Sequence, residues 1–287
     1  MLDFSGIWVP LVTPFRDGAV DAPALSRLVA HLAAQGVAGF VACGSTGEAA
    51  MLDEHESSAV LHTTLEAAQG KPVLMGLSGV RPDRVAQRAE QLAAEHPALA
   101  GYLLTAPAYV KPSQAGVLSF FQTVADASPL PIVAYDIPAR TGVRIEARTL
   151  LALAEHPRIR AGKDCSADAD AAQAIVADGR LALLGGNDDE LFDQLARGAT
   201  GAITASSHVR TADFVRLHRL IGEGRLAEAR SLWHHLRGLV AALFAEPNPG
   251  VIKGVLARQG WLAEELRAPM HTAARAAVDR AALLSRQ

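Results

Sequence analysis

Short apolar runs alternate with longer Ala-rich segments that carry Arg and Glu, and this alternation continues for roughly two hundred residues. Runs of this kind, bounded by turn residues, are typical of buried parallel strands, whereas the longer segments have helical spacing. The strand candidates are 7–15, 39–44, 72–78, 101–107, 130–138, 159–165, 181–188 and 201–207. The helix candidates are 22–36, 53–69, 82–95, 113–127, 146–155, 168–177, 189–197 and 211–222. Eight strand and helix units in this order predict an α/β fold, the (β/α)₈ barrel.

Local signals support several helix starts. Asp53 is followed three residues later by Glu56, a spacing that predicts a capping box. Pro23 and Pro82 each fall where a first helical turn is expected, a position that tolerates proline. These residues are therefore interpreted as structural.

The strand pattern stops after residue 222. The remaining residues predict helices near 225–245, 250–259 and 270–284. We therefore expect a barrel domain over residues 1–222 and a helical domain over residues 223–287. A chain of 287 residues is long enough for a barrel with such an appendage.

Composition narrows the class of protein. Half of the residues are hydrophobic and a fifth are charged, as in globular proteins. The net charge of −3 is spread without a basic stripe, so nucleic acid is not an expected partner. The apolar N-terminus has no basic leader and is interrupted by Pro10 and Pro14, and no stretch has the length of a membrane span. Because two cysteines are too few for a disulfide framework, we expect a cytoplasmic protein with reduced thiols and no membrane partner.

The segment IRAGKDCSAD holds one of only four lysines, in a chain whose other basic residues are arginines. An arginine keeps its charge, whereas a desolvated lysine can become a neutral amine. Active sites of such barrels lie at the carboxyl ends of the strands, and Lys163 lies at the end of strand six. Lys163 is therefore a candidate Schiff-base nucleophile. A lysine whose stem packs at the strand end while its ammonium reaches solvent is the alternative.

Two further strand-end residues have candidate roles. Tyr135 ends strand five, beside Lys163, where a phenol could transfer a proton to and from a carbinolamine. It could equally be an amphipathic side chain in a pocket wall. Arg140 follows in the next loop and could bind a carboxylate with its planar guanidinium, or it could be a solvated surface arginine.

The GSTGE segment, residues 44–48, follows strand two. It lacks the lysine of a Walker motif and the spacing of a dinucleotide-binding loop, so it is a weak phosphate site. As a tight turn it offers backbone N–H groups and the hydroxyls of Ser45 and Thr46 to a carboxylate.

Metal chemistry is not expected. The ten histidines include no HExxH motif and no cluster with metal-ligand spacing. Cys165 shares strand parity with Lys163 and could line the same cavity, but we interpret it as a buried, inert thiol.

With GSTGE, YDIPARTG and GKD at the ends of strands two, five and six, the chain resembles the dihydrodipicolinate synthase and N-acetylneuraminate lyase family of class I aldolases. The resemblance extends from about residue 6 to the last helix and includes VPLVTPF, AYVKPSQ and EPNP. It implies a lyase that forms an imine between pyruvate and Lys163, without another cofactor. It also implies that Ser45 and Thr46 hold the pyruvate carboxylate. The implied proton relay runs through Tyr135, Ser45 and Tyr109, the last reaching into a neighbouring subunit.

Two other expectations accompany this resemblance. Gly186 and Ile203, in strand candidates seven and eight, are expected to contact the substrate. The implied assembly is a homotetramer built from two tight dimers.

The resemblance is closest to the synthases. Their arginine in the strand-five loop binds the carboxylate of aspartate semialdehyde, and Arg140 occupies that place. Against this, the synthases usually have two threonines where Ser45 and Thr46 stand, and often an aromatic residue where Ala108 stands. We therefore expect condensation of pyruvate with L-aspartate 4-semialdehyde, a step of diaminopimelate and lysine biosynthesis. The alternatives are an aldolase or dehydratase for 2-keto-3-deoxy sugar acids or another 2-oxo acid, and a non-catalytic barrel that binds a 2-oxo acid.

The residues that form the lysine feedback site in regulated synthases are replaced in this chain. Val80, Arg84 and Ala108 stand where that site uses polar or acidic groups, and Glu54 and Ser57 stand where it uses histidines. We expect that free lysine neither binds nor inhibits.

Overall fold

The computed structural model describes residues 2–287, and within them eight parallel strands form a closed barrel. Each strand pairs with its neighbours along the chain, and the last pairs with the first. The strands are β1 (Gly6–Pro10), β2 (Gly39–Ala42), β3 (Val73–Leu77), β4 (Gly101–Thr105), β5 (Ile132–Asp136), β6 (Ile159–Asp164), β7 (Ala182–Gly185) and β8 (Gly201–Ile203). The predicted (β/α)₈ barrel is confirmed.

Helices follow the strands as predicted, and the region after the barrel is helical. The helices are α1 (Ala22–Ala34), α2 (Glu54–Ala67), α3 (Pro82–Glu95), α4 (Gln114–Ala127), α5 (Pro138–Thr141), α6 (Ala147–Leu153), α7 (Ala169–Asp178), α8 (Leu191–Ala196), α9 (Thr211–Gly222), α10 (Leu226–Leu243), α11 (Gly250–Arg258) and α12 (Arg275–Leu284). Helix α10 packs against α9, the last helix of the barrel, and against α12. The division into two domains at residue 222 stays a prediction. No helix within residues 2–287 has the length and hydropathy needed to cross a bilayer.

Most predicted strands are too long at their carboxyl ends. The first was predicted to reach residue 15, but β1 ends at Pro10, and Phe15–Arg16 pairs instead with Ala19–Val20 in a small antiparallel hairpin. The last ends at Ile203, because the chain turns into a 3₁₀ helix at Ser206–His208. In both places the apolar run continues into the loops at the barrel mouth, so hydrophobicity alone does not mark the strand end.

The helix-start signals are confirmed. Asp53 Oδ1 accepts a hydrogen bond from the Glu56 N–H at 2.8 Å, and Glu56 Oε2 accepts one from the Asp53 N–H at 3.1 Å, forming the predicted capping box. Pro23 and Pro82 lie in the first turns of α1 and α3.

The barrel interior is a compact apolar cluster. It includes Trp8, Leu103, Val133, Tyr135 and Ala161, which come from four of the strands. Because side chains alternate along a strand, Lys163 points to the same side as Ala161 and lies above this cluster, at the carboxyl end of the barrel.

Candidate active site

A cavity of about 760 Å³ opens at the carboxyl ends of the strands. Its wall combines strand ends and the loops after them with the segment that joins α10 to α11. Seven of the eight predicted site residues line it: Ser45, Thr46, Tyr135, Arg140, Lys163, Gly186 and Ile203. The eighth, Tyr109, does not.

Lys163 is buried at the floor of this cavity. It lies opposite Tyr135 in the register of β5 and β6, and its Nζ is 4.2 Å from the centroid of the Tyr135 ring. Only 5% of the residue is exposed. The ammonium therefore does not reach bulk solvent, which removes the alternative of a lysine that extends from the strand end into water.

Opposing effects set the pKa of Lys163. Burial, the largest of them, lowers the pKa, while the charges of an ionised Tyr135, Cys165 and Asp188 would raise it above its ordinary value. Burial also raises the pKa of Tyr135, and it raises the pKa of Cys165 to about 11. Both groups are thus neutral near pH 7, so burial, which favours the neutral amine, and the Asp188 carboxyl group, which favours the ammonium, remain as the opposing effects on Lys163.

The phenol of Tyr135 lies beside this amine. Its hydroxyl oxygen is 3.8 Å from Cys165 Sγ, which donates to it. Cys165 lines the cavity, as its strand parity predicts. The sequence predicted a buried thiol, whereas the residue is half-buried. With its raised pKa the thiol stays protonated at neutral pH. Tyr135 is accordingly a neutral phenol that can give and take back a proton.

The GSTGE loop forms a 3₁₀ turn over Ser45–Gly47. Ser45 is exposed to the cavity and Thr46 is buried, and both line it. Gly47 is required here because a Cβ at this position would lie 2.8 Å from the Leu11 carbonyl oxygen. The turn therefore brings the two hydroxyls into the wall of the cavity that Arg140 also lines.

Gly186 lets the strand-seven loop approach the amine closely. A Cβ at this position would lie 2.8 Å from Lys163 Cε and would overlap Cys165 Sγ. A side chain here would therefore displace the lysine. Ile203, at the end of β8, closes the cavity floor as part of the interior cluster.

Arg140 lies on α5, a four-residue helix that the sequence did not predict. Its side chain is exposed at the cavity mouth. Tyr109, in contrast, is 93% exposed, with φ +72° in the loop after β4. Its side chain is exposed to solvent and does not line the cavity of its own chain.

Sequence reasoning missed Asp188, a buried carboxyl group in the cavity wall. Its Oδ1 accepts hydrogen bonds from the backbone N–H of Ser206, at 2.7 Å, and from the Ser206 hydroxyl. Burial raises its pKa, and the charge of Lys163 opposes that rise. The only signal in the sequence is an acidic residue soon after strand seven. Residues 2–287 include no cluster of three or more side chains that could hold a metal ion.

The arrangement suits one kind of chemistry. A desolvated amine can attack a ketone carbon, the adjacent phenol can protonate the departing oxygen, and two hydroxyls can hold a small carboxylate. The guanidinium at the mouth can bind a second carboxylate.

Comparisons with known proteins agree with this chemistry. A model of the dihydrodipicolinate synthetase family matches residues 3–284. The 4-hydroxy-tetrahydrodipicolinate synthase of Pelobacter propionicus is 37% identical over 273 residues, covering 93% of this chain and 92% of the relative. The crystal structure of dihydrodipicolinate synthase from Thermotoga maritima has a TM-score of 0.94 at 30% identity, over 99% of this chain and 98% of that one. A monomeric dihydrodipicolinate synthase variant has the same TM-score and identity, over 99% and 96% of the two chains.

Proposed function

Because the chain belongs to the dihydrodipicolinate synthetase family, we propose that it condenses pyruvate with L-aspartate 4-semialdehyde to give 4-hydroxy-tetrahydrodipicolinate. It is a lyase of the class I aldolase type. The observation that carries the proposal is the buried amine of Lys163 beside the phenol of Tyr135, in a cavity with Arg140 at its mouth.

The first step is imine formation. The neutral Lys163 Nζ attacks C2 of pyruvate, and the resulting carbinolamine loses water after Tyr135 protonates its hydroxyl group. The hydroxyls of Ser45 and Thr46 hold the pyruvate carboxylate meanwhile. Enzymes of this family use this lysine imine and need no external cofactor.

The second step forms the carbon–carbon bond. The imine carbon accepts electrons, so the adjacent methyl group loses a proton and becomes an enamine. The enamine carbon attacks the aldehyde carbon, and the aldehyde oxygen takes up a proton from the Tyr135, Ser45 and Tyr109 relay. The amino group of the semialdehyde then displaces Lys163 at C2, which closes the ring and frees the enzyme.

Arg140 selects the aldehyde in this scheme. A planar guanidinium at the cavity mouth can bind the semialdehyde carboxylate through two parallel hydrogen bonds. A 2-keto-3-deoxy sugar acid carries hydroxyl groups at that end of the molecule, so it gains less from this contact.

Tyr109 acts, in this proposal, in the site of a neighbouring subunit. Its exposure in its own chain supports that arrangement. We accordingly expect a homotetramer made of two tight dimers, located in the cytoplasm. Since one structural neighbour is described as a monomeric variant, assembly has to be measured for this chain.

Kinetics of an Arg140→Ala variant test the proposal. We expect kcat/KM for L-aspartate 4-semialdehyde to fall at least about tenfold, as for the loss of a charge-assisted hydrogen bond. The KM for pyruvate should stay within about twofold, since Arg140 does not touch pyruvate in this scheme. Arg148→Ala, which removes an exposed arginine paired with Glu146, is the matched control. Turnover of 2-keto-3-deoxy sugar acids in preference to the semialdehyde would overturn the proposal.

A further inference from the structure

The segment between α10 and α11 reaches into the cavity and contacts the GSTGE loop. Asn248 Nδ2 donates a hydrogen bond to Thr46 Oγ1 at 2.9 Å, across a sequence separation of 202 residues. The other amide atom, Asn248 Oδ1, is buried without a hydrogen-bond partner among residues 2–287. Both Asn248 and Thr46 line the cavity.

This hydrogen bond fixes the direction of the Thr46 hydroxyl. A threonine hydroxyl has one proton to donate and two lone pairs to accept with. Because Asn248 occupies one lone pair, the proton stays available and is made more acidic by the bond it accepts. That proton is left to donate to a group in the cavity, and a carboxylate oxygen is the acceptor that matches it best.

A buried ion pair connects helix α11, which follows the α10–α11 segment, to the GSTGE loop. Lys253 Nζ, on α11, lies 2.6 Å from Glu48 Oε1, at the end of the GSTGE loop, and both side chains have no exposed surface. Glu48 Oε2 also accepts a hydrogen bond from the backbone N–H of Arg267, at 3.0 Å. These contacts connect helix α11, which follows Asn248, to the loop that carries Thr46.

We propose that Asn248 is a positioning residue for the first substrate, because it orients the Thr46 hydroxyl as a hydrogen-bond donor to the carboxylate of a 2-oxo acid. The inference rests on the proposed function, since it requires that a 2-oxo acid binds at Lys163. It assigns the C-terminal helical region an indirect part in substrate binding, through the Thr46 hydroxyl.

Two variants separate this role from simple packing. Asn248→Ala removes the donor, so the Thr46 hydroxyl is free to rotate. Asn248→Asp keeps the shape but has only acceptors, so Thr46 donates its proton to the aspartate, and a negative charge stands beside the substrate carboxylate. We expect the pyruvate concentration for half-maximal borohydride trapping on Lys163 to rise about tenfold in Asn248→Ala and further in Asn248→Asp.

Other measurements distinguish an effect on the orientation of the Thr46 hydroxyl from an effect on the stability of the protein. At saturating pyruvate, kcat should change less than about threefold, and the melting temperature should match that of the Gln259→Ala control from the same region. Combining Asn248→Ala with Thr46→Val should weaken binding no more than Thr46→Val alone, because both changes remove one interaction.

Each outcome has a distinct meaning. If the wild-type chain shows no pyruvate adduct on Lys163, the proposed function fails, and this inference fails with it. If the wild type is trapped but Asn248→Asp binds pyruvate within about twofold of wild type, the role of Asn248 alone is overturned. Full additivity of the effects of Asn248→Ala and Thr46→Val on pyruvate binding would also overturn the role of Asn248.

Discussion

The buried ion pair between Lys253 and Glu48 gives a stability prediction. Neither side chain has exposed surface, and the Lys253 ammonium also lies 4.4 Å from the centroid of the Phe15 ring. In Lys253→Met the Glu48 carboxylate stays buried with the Arg267 N–H as its remaining hydrogen-bond donor. The perturbation therefore leaves an uncompensated charge inside the protein.

The size of the effect follows from that burial. Removing one partner of a buried pair destabilises a protein by about 3–5 kcal/mol. For a chain of this size, each kcal/mol shifts the melting temperature by about 2–4 °C. We therefore expect Lys253→Met to melt about 6–20 °C below wild type. Replacing both residues, as in Glu48→Gln with Lys253→Met, should cost clearly less than the sum of the single changes.

Thermal unfolding followed by circular dichroism measures this effect. Arg225→Met is the control, because Arg225 forms an ion pair with Glu228 at an exposed site, where such pairs contribute little. The reasoning would be refuted if Lys253→Met melted within about 1 °C of wild type, or if the two single changes were additive.

Four further outcomes are expected. Tyr135→Phe should slow imine trapping by roughly 100-fold, with little change in pyruvate affinity, because it removes the proton donor but no carboxylate contact. Gly186→Ala should abolish imine trapping, since the added Cβ would lie 2.8 Å from Lys163 Cε. Mass spectrometry of the borohydride-reduced protein measures the trapping in both the Tyr135→Phe and the Gly186→Ala variants. Burial lowers the pKa of His208 from 6.5 to about 4, and its Nε2 accepts a hydrogen bond from the Val12 N–H. As the pH falls, the unfolded chain therefore binds a proton on His208 before the folded chain does. The stability that the neutral imidazole contributes is fully present above pH 6.5, and up to about 3 kcal/mol of it is lost as the pH falls toward 4. Urea unfolding at several pH values should therefore show a flatter dependence of the unfolding free energy on pH for His208→Gln than for wild type. Calorimetry should detect no saturable binding of free lysine at physiological concentration, and saturable heat would contradict the expected loss of feedback control.

The sequence predicted the barrel because its signal is local and repeated. Apolar runs of strand length alternate with helical segments, and the capping residues Asp53 and Glu56 mark a helix start by spacing alone. The hydrophobic pattern does not predict helix α5, because four residues are too few to show a helical period. The ends of β1 and β8 were placed too late because the loops of the cavity are themselves apolar.

The site was predictable where its residues follow strands. Lys163 and Tyr135 meet because adjacent parallel strands end at the same rim. Asn248 could not be found in this way, since its contact with Thr46 depends on how the last helices fold back onto the barrel. Asp188 lies after a strand, but its burial depends on Ser206, which lies 18 residues later.

The most direct test of the central claim is borohydride reduction of the purified protein with pyruvate, followed by mass mapping and by measurement of pyruvate consumption. The account predicts an adduct on Lys163 and rapid consumption that depends on L-aspartate 4-semialdehyde. An unmodified Lys163, or an adduct on another lysine such as Lys253, would contradict the imine chemistry. An adduct on Lys163 without consumption would contradict the synthase assignment.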